Sequence, residues 1–139
     1  MNKSLKIVVF AIFFSFVSCK INQRQNGLKT GKWIYEDSLM NIVIKSKGRY
    51  KNNFETGIWK EYVGGKLISK HKYKDSICLT KEYHNNGKLR AIGISKLITE
   101  GKTLHWFLSG EWKFYDSEGV LLGTKIYDKG TPIQETYTE

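Results

Sequence analysis

Two short stretches decide the fold, Gly57-Ile58-Trp59-Lys60-Glu61-Tyr62 and Gly110-Glu111-Trp112-Lys113-Phe114-Tyr115. Each has a glycine two residues before a tryptophan and a tyrosine three residues after it. Gly31-Lys32-Trp33 begins a further copy, which lacks the tyrosine. A motif that recurs in this way predicts a repeat protein, in which each unit packs against its neighbours.

A weaker copy lies between the clear ones. Tyr83 marks it, and Cys78 and Thr80 take the places of the glycine and the tryptophan. From Tyr62 to Tyr83 the spacing is 21 residues, whereas Tyr83 and Tyr115 are 32 apart. The longer interval predicts an insertion between these last two copies.

Glycine and asparagine separate the aromatic stretches. Asn86-Gly87 predicts a hairpin turn of type I′, because both residues tolerate a positive φ. Gly64-Gly65 and Asn52-Asn53 stand at comparable turn positions. The unit is therefore strand, tight turn, strand and turn.

Alternation along a strand divides the residues between two faces. Trp59 and Glu61 share one face, and Lys60 lies on the other. Stacked copies then place Trp33, Trp59 and Trp112 in one row, with Phe114 beside them. We predict that these four residues form a face that contacts a partner.

The patterns G-x-W-x-x-Y, N-G-x-L and Y-x-x-G over residues 31–130 resemble MORN-type repeats, and more narrowly the bacterial MORN variant associated with antitoxin components. The resemblance implies an all-β fold, an elongated antiparallel sheet of successive β-hairpins. It also implies binding or spacing rather than catalysis.

The N-terminus has the pattern of an export signal. Lys3 and Lys6 precede the apolar run of residues 7–17, which is too short to span a bilayer. Ser18-Cys19 then resembles a bacterial lipobox, which implies removal of residues 1–18 and acylation of Cys19. An ordinary signal peptide with an incidental cysteine, or an uncleaved anchor, is the alternative.

These features predict three parts: a signal helix over residues 1–18, lipidated Cys19 with a flexible tether over residues 19–30, and a repeat domain over residues 31–139. The predicted location is the bacterial cell envelope. Because residues 20–23 carry no acidic residue, the periplasmic face of the outer membrane is favoured.

Catalytic groups are scattered. His71, His84 and His105 fall at different repeat positions, so we expect no metal site, and we expect no cofactor. Glu61 and Glu82 come near each other in stacked copies, but repeat equivalence explains them more simply than acid–base catalysis. We therefore predict that the chain is not an enzyme.

The charge is strongly basic, formally +10. Alternating cations recur in two runs, which are Lys45, Lys47, Arg49 and Lys51, then Lys66, Lys70, Lys72 and Lys74. They indicate either attraction to an anionic headgroup, glycan or protein, or a solvated face that protects sheet edges. Export argues against nucleic acid as a partner.

Together, the sequence predicts a lipoprotein held on a membrane by its N-terminal lipid. It would act as a non-catalytic interaction or structural module. The alternative is an antitoxin or immunity-type protein that binds a toxin.

Overall fold

The computed structural model describes residues 20–139, and these form ten β-strands. The strands are β1 (Gln23–Gln25), β2 (Leu28–Leu39), β3 (Ile42–Lys51), β4 (Phe54–Val63), β5 (Lys66–Lys74), β6 (Ile77–Tyr83), β7 (Leu89–Glu100), β8 (Thr103–Tyr115), β9 (Leu121–Asp128) and β10 (Thr131–Tyr137).

All ten strands belong to one antiparallel sheet, and their order in the sheet is their order in the chain. Each strand therefore pairs with the next through a hairpin. The predicted all-β fold of successive antiparallel hairpins is confirmed, and no helix occurs in residues 20–139. The predicted signal helix and Cys19 lie outside the described residues.

Several hairpins turn through two residues that both have a positive φ, the geometry of a type I′ turn. They are Asn26-Gly27, Met40-Asn41, Asn52-Asn53, Gly64-Gly65 and Lys129-Gly130. The prediction of the same turn at Asn86-Gly87 is wrong, because only Gly87 has a positive φ. The His84 N–H donates to the Lys88 carbonyl, so three residues, 85–87, lie between this pair instead of two, and the left-handed Gly87 is the last of them.

The sheet begins at Gln23, inside the segment predicted as a tether. β1 pairs with the start of β2 across Asn26-Gly27. The Asn22 side chain then continues the pairing, since it both donates to the Ile34 carbonyl and accepts from the Ile34 N–H, at 3.0 and 2.8 Å. This hairpin was not predicted, because the hydrophobic pattern of the segment is weak.

Bulges confirm the repeat. The pairing register shifts at Tyr62, at Tyr83 and at Tyr115, each where an even-numbered strand meets the next. The three tyrosines therefore occupy equivalent positions. The predicted insertion is a longer hairpin, because β7 and β8 extend together to a turn at Gly101.

The two sides of the sheet carry different side chains. We call the side with Trp33, Trp59 and Trp112 the tryptophan face, and these residues are only 7, 5 and 4% exposed. We call the other side the lysine face, which carries Lys60 and Lys70. The predicted separation of Trp59 from Lys60 is thus confirmed.

Candidate functional site

The tryptophan rings pack over glycines of the preceding strand. Trp59 covers Gly48 and Trp112 covers Gly93, so closely that a Cβ at either glycine would overlap the ring. The indole Nε1 of Trp59 donates to the Arg49 carbonyl at 2.9 Å. That of Trp112 donates to the Ile94 carbonyl at the same distance. Both carbonyls belong to the residue after the glycine.

A bulge accompanies each of these pairs. β3 and β4 change register around Gly48, and β7 and β8 change register around Gly93. Gly57 and Gly110, two residues before the tryptophans, have φ values of 65° and 65°. The glycine of the G-x-W motif therefore provides the left-handed residue that such a bulge requires.

In the weaker copy the large and the small residue of this packing pair are exchanged between the two strands. Thr80 stands where the other copies have tryptophan, and His71 lies directly opposite it where they have glycine. The His71 Nδ1 and Thr80 Oγ1 are 3.0 Å apart. β5 and β6 pair without a register shift, since no indole has to be accommodated.

His71 is the centre of a polar cluster. Ser69 Oγ donates to a Glu61 oxygen at 2.6 Å and lies 3.1 Å from His71 Nε2. The neighbouring Cys78 thiol and the Glu61 carboxylate, whose oxygen lies 3.8 Å from Nε2, raise the pKa of His71 to about 9. The same imidazole lowers the pKa of Glu61. The cluster therefore holds an imidazolium–carboxylate pair at neutral pH.

Glu61 and Glu82 line an open groove of about 410 Å³ with Ser69 between their strands. The predicted proximity on one face is seen, but each carboxylate has its own partner. Arg90 binds Glu82 at 2.8 Å, as Ser69 binds Glu61. The strand between them keeps their backbones about 10 Å apart, and each carboxylate is bound by a neighbour other than the second glutamate.

The aromatic residues predicted to contact a partner lie together on the tryptophan face. Phe114 is half-buried and stacks on Trp112, with ring centroids 6.5 Å apart. Trp33 contacts Tyr50 edge-on at 5.6 Å. Burial gives the three tryptophans a packing role, and partner binding over this row stays a prediction.

On the lysine face, four lysines stand directly opposite one another on neighbouring strands. Lys47 pairs with Lys60, Lys60 with Lys70, and Lys70 with Lys81. We call these four residues the lysine ladder. All four side chains are half-buried, which fits aliphatic stems that pack side by side while the ammonium groups reach water.

The ladder lacks anionic partners within the part of the chain that the structure describes. Salt bridges there engage Lys45, Lys88, Arg90, Lys113 and Lys125 with carboxylates, but no ladder lysine. Lys47 instead lies 4.8 Å from the ring centroid of Tyr62. Like charges placed directly opposite in a sheet are destabilising.

Two shallow grooves accompany the ladder. The larger, of about 670 Å³, lies over the Gly48 bulge and is lined by Lys32, Lys47, Gly48, Arg49, Gly57, Ile58 and Lys60. The smaller, of about 220 Å³, is lined by Lys70, Lys72, Leu79 and Lys81. Both combine cationic walls with an aliphatic side chain.

The sequence interpretation found the two cationic runs but missed the ladder. Lys60 and Lys81 stand outside those runs, and each follows a tryptophan-equivalent position, Trp59 or Thr80. The aligned copies contain both lysines, but the alignment does not show which residues stand opposite them on neighbouring strands. Lys66 departs from its run, because a bulge in β5 places it opposite Val63 on the tryptophan face.

No protein family, curated protein or solved structure matches this chain. Residues 20–139 contain no helix able to cross a membrane and no group of three side chains suited to a metal ion. The fold itself defines the class as a single-sheet protein of repeated β-hairpins.

Proposed function

We propose that this chain is a bacterial envelope lipoprotein, acylated at Cys19, whose repeat sheet serves as a non-catalytic interaction module. The observation that carries the interaction role is the lysine ladder. It concentrates like charge on one open face of a single sheet, where opposed like charges destabilise the fold.

The lipid attachment is supported by the sequence of residues 1–19. A cationic start, a short apolar run and a small residue before Cys19 together resemble a lipoprotein signal. Acyl chains would hold the sheet on a membrane, since each buried methylene contributes about 0.8 kcal/mol.

Palmitate labelling tests the attachment. Cells that express the full chain are grown with radiolabelled palmitate, and the purified protein is examined for label. We expect label in the natural chain and in Cys78→Ser, the control for the second cysteine, and none in Cys19→Ser. Label that persists in Cys19→Ser would reject the assignment.

The second candidate is an antitoxin or immunity-type protein. The lysine face favours it to the extent that an acidic toxin would complement the ladder. Binding of an acidic protein that the ladder variants lose, in the absence of membrane, would support this function over the first.

A further inference from the structure

We propose that the lysine face is a docking surface for an anionic lipid bilayer, whose headgroup phosphates bind the lysine ladder and the grooves beside it. The inference deepens the interaction role proposed above by naming the partner's chemistry. It rests on the register, the burial and the charge distribution of β2–β6.

Edge protection does not explain the ladder. Lysines on an edge strand discourage a sheet from pairing with another chain. The ladder strands β3, β4, β5 and β6 are all internal, whereas β1 and β10 form the edges. The ladder charges therefore stand where no edge needs them.

Charge segregation points to an anionic partner. Within β2–β6, Glu55, Glu61 and Glu82 lie on the tryptophan face, as pairing with Tyr50 and Ser69 shows. Glu36 lies on the lysine face and is bound by Lys45 at 2.8 Å. The centre of the lysine face therefore presents cations without a competing carboxylate.

The larger groove has the form of a headgroup site. Lys32, Arg49, Lys47 and Lys60 surround a floor that lacks side chains at Gly48 and Gly57. At Gly48 the lysine face presents backbone, because a Cβ at this residue would point to the tryptophan face and overlap the Trp59 ring. The four cations therefore border the bulge with no side chain from Gly48 among them.

Aliphatic side chains favour a bilayer over a soluble polyanion. Ile58 is 48% exposed within the larger groove, and Ile77, on the same face beside Leu79, is 47% exposed. Cations interleaved with exposed aliphatic groups suit the boundary between headgroups and acyl chains. A glycan would use the lysines and leave Ile58 in water.

A fluorophore on the lysine face tests the docking in the full chain. The chain with Cys78→Ala and Ile58→Cys carries an environment-sensitive dye and is reconstituted in vesicles of phosphatidylcholine, with or without phosphatidylglycerol. A dye at Tyr137→Cys, an exposed residue on the tryptophan face, serves as the control position. We expect a blue shift at position 58 only with phosphatidylglycerol, reversed by molar salt.

Two matched variants identify the cause. Changing Lys47, Lys60, Lys70 and Lys81 to Gln removes the ladder. Changing Lys20, Lys66, Lys102 and Lys129 to Gln removes the same charge elsewhere. Because each of the four lysines near an anionic surface contributes roughly a factor of five, the ladder variant should lower the docked-to-undocked ratio roughly 600-fold. The control variant should change it by less than about tenfold.

Three results would overturn the inference: no response at position 58, an equal loss in both quadruple variants, or a response to soluble polyphosphate but not to anionic vesicles. The palmitate test separates this inference from the proposed lipid attachment. A chain that is labelled at Cys19 but silent at position 58 rejects the docking alone. If the natural chain carries no label, a response in the dye-labelled chain that also carries Cys19→Ser, so that the dye is confined to position 58, rejects the attachment alone.

Discussion

The two faces of this sheet follow opposite rules. On the tryptophan face, large side chains lie over small ones, as Trp59 lies over Gly48, and acids meet bases or hydroxyls, as Glu61 meets Ser69. On the lysine face, Lys47, Lys60 and their neighbours repeat the same charge from strand to strand. Cohesion of a single layer therefore comes chiefly from one face.

We expect the largest effect on stability when a buried tryptophan of the tryptophan face is replaced. Trp112→Ala should cost about 3–5 kcal/mol, because it removes a buried indole and leaves the space over Gly93 empty. Thr80→Ala, at the equivalent position of the weaker copy, should cost about 1–2 kcal/mol. Urea unfolding followed by circular dichroism measures both, and equal costs would contradict the packing role.

Gly93 provides the reciprocal test. Gly93→Val should cost about 3 kcal/mol, since the new side chain overlaps the Trp112 ring. In a Trp112→Ala background the same change should cost much less or become stabilising, because the space is free. A double-mutant cycle by urea unfolding gives the coupling, and additive costs would show that the ring and the glycine do not share this space.

The polar cluster gives the tryptophan face a dependence on pH. His71 has a pKa of about 9 in the fold against 6.5 when unfolded. The folded state therefore binds the proton more tightly, so the stabilisation is complete below pH 6.5 and is lost as pH rises through 9. We expect a loss of roughly 1–3 kcal/mol over this window.

Unfolding measured at a series of pH values tests this expectation. His71→Gln should flatten the dependence between pH 6.5 and 9, whereas His84→Gln, a control outside the cluster, should retain it. A His71→Gln profile as steep as that of the natural chain would assign the dependence to other groups.

The smallest effect is expected on the lysine face. Lys60→Gln removes the repulsion with both Lys47 and Lys70, so it should stabilise the fold by about 0.2–1 kcal/mol in low salt. High salt should abolish the gain. Lys102→Gln, in an exposed turn, should change little under either condition. Destabilisation by Lys60→Gln would show that the stems contribute more than the charges cost.

The periodicity of the sequence predicted the hairpin repeats of this molecule. It did not predict which residues stand opposite one another on neighbouring strands. The spacing of Gly57, Trp59 and Tyr62 was enough to predict hairpins and repeat positions, and the side of the sheet for Trp59 and Lys60, whereas the bulge in β5 put Lys66 on the face opposite to the rest of its run. The spacing did not predict that His71 and Thr80 replace a glycine and a tryptophan as a pair, because this depends on which residues face each other across two strands.

The lysine ladder was not predicted from the sequence for the same reason. Lys47 and Lys81 belong to strands that are separated by two others, and bulges at Gly48 and Tyr62 shift the register between them. Because the sequence does not reveal those register shifts, it does not show which lysines of neighbouring strands form a row. The start of the sheet at Gln23 was missed because residues 20–30 are polar and show little hydrophobic alternation.

A measurement of the pairing register of β3–β6 is the strictest test of the lysine ladder and of the two faces. A slip of one residue would exchange the two faces of a strand. Nuclear Overhauser contacts in the isotope-labelled protein report which backbone protons face each other. We expect cross-strand contacts that connect Lys47 with Lys60, Lys60 with Lys70 and Lys70 with Lys81. Contacts that connect Lys60 with Ser69 or His71 as its direct partner would contradict the ladder and the division of the sheet into two faces.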